Sequence, residues 1–366
     1  MKPRAIQFTL AAMTSPALPL AVLFGGPSEE HEISLRSART VVEALNPARY
    51  EVRLVGITRD GGWLDPEASR RMLHGEDPAE AGGPPAIPAD TACVFPVLHG
   101  PFGEDGRVQG WLELLGVPCV GSGSTGSQLS IDKVLTKLVL RGNDLPVINW
   151  SEVDARRWKE DRAAALADAG RHGFPCFVKP NRLGSSVGIS RVDSADALEG
   201  AIEEALRHDS VVVIEPEIPG RELEVAVLEG ETLQVSEPGE IVPDGWYDYA
   251  AKYENDSAEL KAPAEDLHPA TISRLKQLAE AAFRLLRMQG MARVDFRILN
   301  KQIGYESAGR IYINEVNAIP GFTSISMYPR LFDLAGIGLP HLLDELVQSA
   351  LRAGAPAAVT PAKARV

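Results

Sequence analysis

The stretches ARVDFRI (292–298) and IYINEVN (311–317) decide the fold. Both read as β-strands, and successive side chains on a strand point to opposite faces. Arg293 and Asp295 therefore share one face, while Ala292, Val294 and Phe296 share the other. Glu315 and Asn317 share a face by the same rule. If the two strands pair, one surface at the end of a sheet carries Arg, Asp, Glu and Asn. Such an oxygen-rich set suits Mg²⁺, which takes one or two carboxylates together with phosphate oxygens. Arg293 and Asp295 alone read equally well as a salt-bridged strand pair. Glu315, Asn317 and the IPGF turn at 319–322 shift the reading toward a cation site.

Two further stretches point the same way. NRLGSSVGI (181–189) follows Lys179. Its glycines at 184 and 188 permit close backbone approach, and the hydroxyls and amides of Ser185 and Ser186 can donate to phosphate oxygens. It lacks the Lys-Ser pair and the following helix of a GxxxxGKS loop, and by itself it is only a glycine-serine hairpin. Lys179 before it and the acidic cluster after it make it a phosphate flap. EPEIPGRE (215–222) ends a strand in Glu215 and presents Glu222 after a turn, within reach of an adenine amine and ribose hydroxyls. Alone it is weak, because acids at strand ends are common.

Around these stretches the chain is organised as an α/β protein. Leu20–Phe24, Val52–Ile57, Ala92–Pro96 and Pro118–Val120 read as strands. They alternate with helices at Ser28–Leu45 and Val108–Leu115, which implies a parallel sheet with crossovers. A cationic helix over Ser130–Arg141 carries Lys133 and Lys137. Strands are then expected at Phe177–Pro180, Val211–Glu215 and Leu223–Leu228, and a helix at Pro269–Met288. The segment 74–90 reads as a loop, and 239–263 as a longer one. Residues 1–18 read as an extension and 351–366 as a frayed tail. Between them lie an N-terminal domain (19–121), a central subdomain (122–218) and a C-terminal subdomain (219–350).

Bulk properties narrow the function. A chain of 366 residues suits two or three domains, and 45% apolar with 24% charged residues is an ordinary globular balance. A net charge of −13 argues against nucleic-acid or anionic-membrane partners. It does not argue against ATP, since a few local cations bind phosphates. Three widely spaced cysteines give neither a disulfide framework nor a zinc pattern, as expected in a reducing cytosol. The apolar start is interrupted by Pro16 and Pro19 and runs into the first strand, so it reads as an extension rather than an export signal. The expected location is the cytoplasm.

The three phosphate-site stretches, in this order, resemble the ATP-grasp fold: a parallel-sheet domain, then a two-part fold with nucleotide held between two sheets. From about Pro19 to Leu346 the chain resembles the D-alanine–D-alanine ligase family. The resemblance rests on four motifs in order: GGPSEEHEISLRSA (25–38), HGPFGEDGRVQG (99–110), KPNRLGSSVGI (179–189) and NEVNAIPGFTSISM (314–327). It implies ligation of two D-alanine molecules through an acyl phosphate, with release of ADP and phosphate, for peptidoglycan precursors. It further implies that Lys133, Lys179 and Lys252 contact ATP phosphates, with Ser185, Ser186 and Asn314 also at the nucleotide. Glu215 and Glu222 fall at adenine and ribose. Asp295, Glu315 and Asn317 match the ligands of two Mg²⁺ ions, for which Mn²⁺ can substitute. Glu30 matches the acid that holds the first D-alanine's ammonium, with Ser185 and Tyr253 as hydrogen-bond partners. Arg293 and the Gly321 amide match the donors to the reacting carbonyl oxygen, and Ser326 with Met327 the holder of the second D-alanine. His99, with Glu104, falls in the substrate loop. The expected partners are D-alanine, ATP and a second copy of the chain, with neither nucleic acid nor membrane.

Rival readings remain at this point. A D-alanine–D-lactate or D-serine ligase has the same fold, although Tyr253 favours an amine nucleophile. A non-catalytic nucleotide-binding regulator is expected to have lost metal or catalytic positions, and here all stand. Gly25-Gly26 after a strand lacks the GxGxxG spacing of a nicotinamide-dependent oxidoreductase.

Overall fold

Leu20 to Phe24 are completely buried, as a strand covered on both faces of a parallel sheet must be. In the computed structural model, which describes residues 16–76, 82–184, 187–243, 258–299 and 311–354, this strand is β1 (Leu18–Gly25). It lies between β2 (Tyr50–Ile57) and β3 (Cys93–Pro96), parallel to both. The strand expected at Pro118–Val120 is reduced to one parallel bridge between Cys119 and Val94. The helices of this region are α1 (His31–Ala44), α2 (Pro66–Leu73) and α3 (Arg107–Leu115).

Local capping chemistry sets these helix ends. Helix α1 begins at His31 rather than Ser28. The Ser28 hydroxyl accepts from the Glu30 amide at 2.9 Å and donates to the His99 carbonyl at 2.7 Å, so it pins the preceding turn to the 99–110 loop. The expected helix over 130–141 is two helices, α4 (Ser124–Ile131) and α5 (Lys133–Arg141). The break falls at Asp132, whose carboxylate caps α5 by accepting from the Leu135 amide.

A second sheet is antiparallel in the order β4 (Ser151–Asp154), β7 (Val211–Pro216), β5 (Cys176–Pro180), β6 (Ser190–Val192). It is backed by α6 (Ala155–Glu160), α7 (Arg162–Ala169) and α8 (Ala195–Ala205), and it has a hydrophobic core of its own around Val178, Ile202, Val212 and Ile214. The KPNRLGSSVGI motif is the hairpin joining β5 to β6. Ser185 and Ser186 lie outside the described residues.

The third sheet is antiparallel, in the order β11 (Ala258–Lys261), β10 (Gly239–Pro243), β8 (Gly220–Glu229), β12 (Met291–Leu299), β13 (Ile311–Asn317), with β9 (Leu233–Val235) also on β8. It packs against α9 (Pro269–Leu285), α10 (Met327–Leu334) and α11 (Leu339–Gly354), and its core is continuous with that of the parallel sheet. The loop expected over 239–263 is corrected here, because both of its ends are strands that pair with each other, and β10 pairs with β8 as well. Lys252 and Tyr253 fall between them, outside the described residues. Two chain ends also move: β1 already begins at Leu18, and α11 continues through Gly354.

Candidate active site

Strands β12 and β13 pair antiparallel with Arg293 opposite Asn317 and Asp295 opposite Glu315, so the four polar side chains expected on one face are brought together. The register then slips by one residue, with Phe296 opposite Ile313. Asn314 is the extra residue of this β-bulge. A bulge re-aims the side chains beside it, which is how neighbouring Asn314 and Glu315 both line the same cleft. Arg293 grips Asp295 with two hydrogen bonds of 2.8 Å and lies 3.2 Å from Glu224, and the Asn317 amide donates to Asp295 at 3.0 Å. Glu222 sits opposite Arg297 and pairs with it at 2.7 Å. Burial raises the Asp295 carboxyl above its ordinary value; Arg293 opposes this, and the Glu315 and Glu222 charges add to it. Among the described residues no three His, Cys, Asp or Glu side chains form a metal cage by themselves.

The opposite wall comes from the second sheet. At the end of β7, Glu215 receives Lys179 of β5 at 2.6 Å on one oxygen and Lys137 of α5 at 2.5 Å on the other. Burial alone raises its carboxyl, and the two ammonium groups reverse that and hold it at about 2. Lys133, at the first turn of α5, donates to the Leu183 carbonyl at 2.6 Å and lies 3.5 Å from Glu315. One ammonium thus joins the serine-glycine hairpin to the carboxylate of β13.

The parallel-sheet domain closes one end. Glu30 occupies the N-cap position of α1 and is buried, and Gly184 of the hairpin stands close enough that a Cβ there would lie 3.4 Å from its carboxylate. His99 is buried, 3.1 Å from the Ser37 hydroxyl and 4.0 Å from Glu104. Burial lowers the His99 imidazole, but Glu104, Glu30 and the Ile319 backbone outweigh it and raise it. The same Ser37 hydroxyl accepts from the Phe322 amide at 3.3 Å, tying the turn after β13 to α1.

Gly321 and Ser326 lie on the turn between β13 and α10. Aromatic rings hold that turn down: Phe95 of β3, Phe322, Tyr328 and Phe332 make successive edge-to-face contacts at 5.9, 5.9 and 5.2 Å. The Ser326 hydroxyl accepts from the Thr323 amide at 3.0 Å and pairs with the Thr323 hydroxyl at 2.8 Å. Met327 begins α10.

A single cleft of about 600 Å³ is lined by Glu30, His99, Lys133, Lys179, Glu215, Glu222, Arg293, Asp295, Asn314, Glu315, Asn317, Gly321, Ser326 and Met327. Of the residues singled out from sequence, Ser185, Ser186, Lys252 and Tyr253 fall outside the described ones. Glu224, Arg297 and Thr323 were missed, and Lys137 was noted only as a cation of its helix, without a role. Arg297 and Glu224 were within reach of the alternation rule, two residues beyond Asp295 and Glu222. Lys137 was within reach of helical spacing, four residues beyond Lys133.

Two antiparallel sheets lining one cleft, lysines on one wall and carboxylates on the other, with a parallel-sheet domain at its end, define an ATP-grasp enzyme. More narrowly, the chain belongs to the D-alanine–D-alanine ligase family. The model of the D-ala D-ala ligase N-terminus matches residues 19–122, and that of the D-ala D-ala ligase C-terminus matches 139–348. The chain is 42% identical over 339 residues to the D-alanine–D-alanine ligase of Deinococcus radiodurans, covering 91% of this chain and 98% of that one. It is 38% identical to the enzyme of the same name from Natranaerobius thermophilus, covering 91% and 95%. Among solved structures, the D-alanine-D-alanine ligase from Coxiella burnetii matches with a TM-score of 0.78 at 35% identity, covering 93% of this chain and 95% of that one. The VanG D-Ala:D-Ser ligase from Enterococcus faecalis also matches at 0.78, with 32% identity and coverage of 91% and 99%.

Proposed function

We propose that this cleft joins two D-alanine molecules at the expense of ATP, releasing ADP and phosphate and supplying a peptidoglycan precursor. The observation that carries the reading is the convergence of three sets in one cleft: Glu30 and His99, the Lys179–Glu215 wall, and the Arg293–Asp295–Glu315–Asn317 face with the Gly321–Ser326 turn.

The chemistry follows from the weakness of a carboxylate as an acyl donor. One D-alanine carboxylate oxygen attacks the γ-phosphorus, the bond to the ADP oxygen breaks, and an acyl phosphate results. The second D-alanine, its ammonium proton given up to solvent, attacks that carbonyl carbon as the free amine, and the phosphate leaves taking up the remaining extra proton from nitrogen. Lys133 and Lys179 offset the negative charge of the phosphates, and Glu30 holds the ammonium of the first D-alanine. Arg293 and the Gly321 amide stabilise the oxyanion of the tetrahedral intermediate, and Ser326 holds the second carboxylate. Asp295, Glu315 and Asn317 give the hard oxygen set that suits Mg²⁺ alongside phosphates. Bound there, the ion would neutralise charge on the phosphate oxygens.

D-alanine-dependent ADP release, followed with coupling enzymes, tests the reading. The expected result is release with D-alanine alone and little stimulation by D-lactate or D-serine as second substrate. Absence of D-alanine-dependent release sinks it, and a preference for D-serine replaces it with the activity named for the Enterococcus neighbour. The reading includes a homodimer in the cytoplasm; no helix among the described residues is long and apolar enough to cross a membrane.

Gly100 gives a sharper check on Glu30. It adopts φ +74°, and a Cβ there would lie 2.5 Å from the Glu30 carboxylate and 3.1 Å from the Ser28 hydroxyl. Gly100→Ala is therefore expected to displace Glu30 and raise KM for the first D-alanine by roughly tenfold or more. KM for ATP should hardly move. Equal changes in both constants would count against this placement of the first substrate.

A further inference from the structure

None of the roles proposed above uses Lys137, although it is the most deeply buried lysine of the cleft wall. Its side chain is 2% exposed. One turn beyond Lys133 on α5, its ammonium sits on one oxygen of Glu215 at 2.5 Å and 3.4 Å from the Ile148 carbonyl. It also lies 5.9 Å from the centre of the Trp150 ring, whose face is shared by Arg141 at 4.2 Å. Lys179 holds the other Glu215 oxygen at 2.6 Å but remains 12% exposed and lines the cleft.

Two ammonium groups on one carboxylate leave one positive charge in excess. A buried pair is stable only while its charges match, and a buried carboxylate stripped of its cations takes up a proton. The two lysines are not equivalent in access: Lys179 reaches the cleft, and Lys137 has no open side. We propose that Lys137 is the standing counter-ion of Glu215, which frees Lys179 to move from Glu215 to a nucleotide phosphate while Glu215 stays ionised and fixed. A carboxylate has about four acceptor positions. With Lys137 on one of them, the others remain for an exocyclic amine of the base. Lys137 is thus a positioning residue for both ends of the nucleotide: it touches neither, yet it sets the charge of Glu215 and the freedom of Lys179. The inference rests on the reading of this cleft as an ATP site.

The test is Lys137→Met, an uncharged replacement of similar length, assayed with ATP, with ITP (a 6-oxo base) and with D-alanine. The expected result is a KM for ATP raised at least about tenfold, KM for D-alanine unchanged within about twofold, and a narrowed preference for ATP over ITP. An unchanged KM for ATP, or both KM values rising together, overturns the proposal. A crystal structure of the unmodified enzyme with ADP and Mg²⁺ decides it even if the variant does not fold. Lys137 should then remain on Glu215 and the Lys179 ammonium should contact a phosphate oxygen. Lys179 still on Glu215 beside bound ADP overturns it. Calorimetry of the unmodified enzyme with ADP separates the two levels, since no binding there removes the nucleotide reading and this inference with it.

Discussion

Arg293→Met is expected to lower kcat by roughly 10²–10³, the usual loss when one donor to a developing oxyanion is removed. The guanidinium serves two masters in this fold. It binds both oxygens of Asp295 and approaches Glu224, so its removal also takes one positive charge away from two buried carboxylates. The two effects separate by measurement. An interaction made only in the transition state lowers kcat without lowering ground-state affinity. Hence kcat per folded enzyme should fall well beyond any loss of ADP affinity measured by calorimetry. A variant within about tenfold of the parent kcat, or one whose ADP affinity falls in parallel with kcat, would show that Arg293 serves the carboxylates alone.

Glu215→Gln is expected to destabilise the protein by roughly 3–5 kcal/mol, because removing one member of a buried ion pair strands the other. Here two ammonium groups are stranded, and one of them, Lys137, has no route to solvent. The pH dependence gives an independent readout. Burial raises the Glu215 carboxyl, but Lys137 and Lys179 bring it from an ordinary 4.5 to about 2. A depressed acid stabilises the folded state above its unfolded value and loses that contribution as pH falls through its folded value. The parent protein should therefore lose roughly 3 kcal/mol from this group between about pH 4.5 and 2. Urea unfolding at a series of pH values should show a flatter acid limb for Glu215→Gln. An acid limb parallel to the parent's would mean that Glu215 is not held ionised in the folded state.

Much of this site was legible in the sequence because it rests on strand alternation and on motifs of fixed spacing. The period of two put Arg293 with Asp295 and Glu315 with Asn317 on shared faces and left their meeting to the pairing of the strands, and the glycines marked the β5–β6 hairpin. What escaped the reading depends on partners distant in the chain. The stretch GEIVP at 239–243 begins with glycine and ends with proline, so its own propensity is that of a loop; pairing with β8 makes it a strand. The bulge at Asn314 follows from the register against β12, which no property of IYINEVN contains. Helix α2 did carry a local signal, Asp65 as cap before Pro66, and its carboxylate accepts from the Glu67 and Ala68 amides. Lys137 looked like one more cation on a basic helix, and only the fold puts Glu215 against it.

The separate core of the second sheet has a mechanical corollary. Val178, Val212 and Ile214 pack among themselves and α8, so one face of that wall is a stiff, close-packed unit, while Val213 on the other face of β7 is part of the main core. The seam between that wall and the rest is therefore apolar at Val213 and charged around it. Lys137 on Glu215 sits deep, where a rotation moves atoms least, and Lys133 on the Leu183 carbonyl sits nearer the rim. The first is placed to act as a pivot and the second as a latch. Opening of the rim for a nucleotide would then break the Lys133 link first, with the buried contacts at Val213 and Lys137 the last to be disturbed.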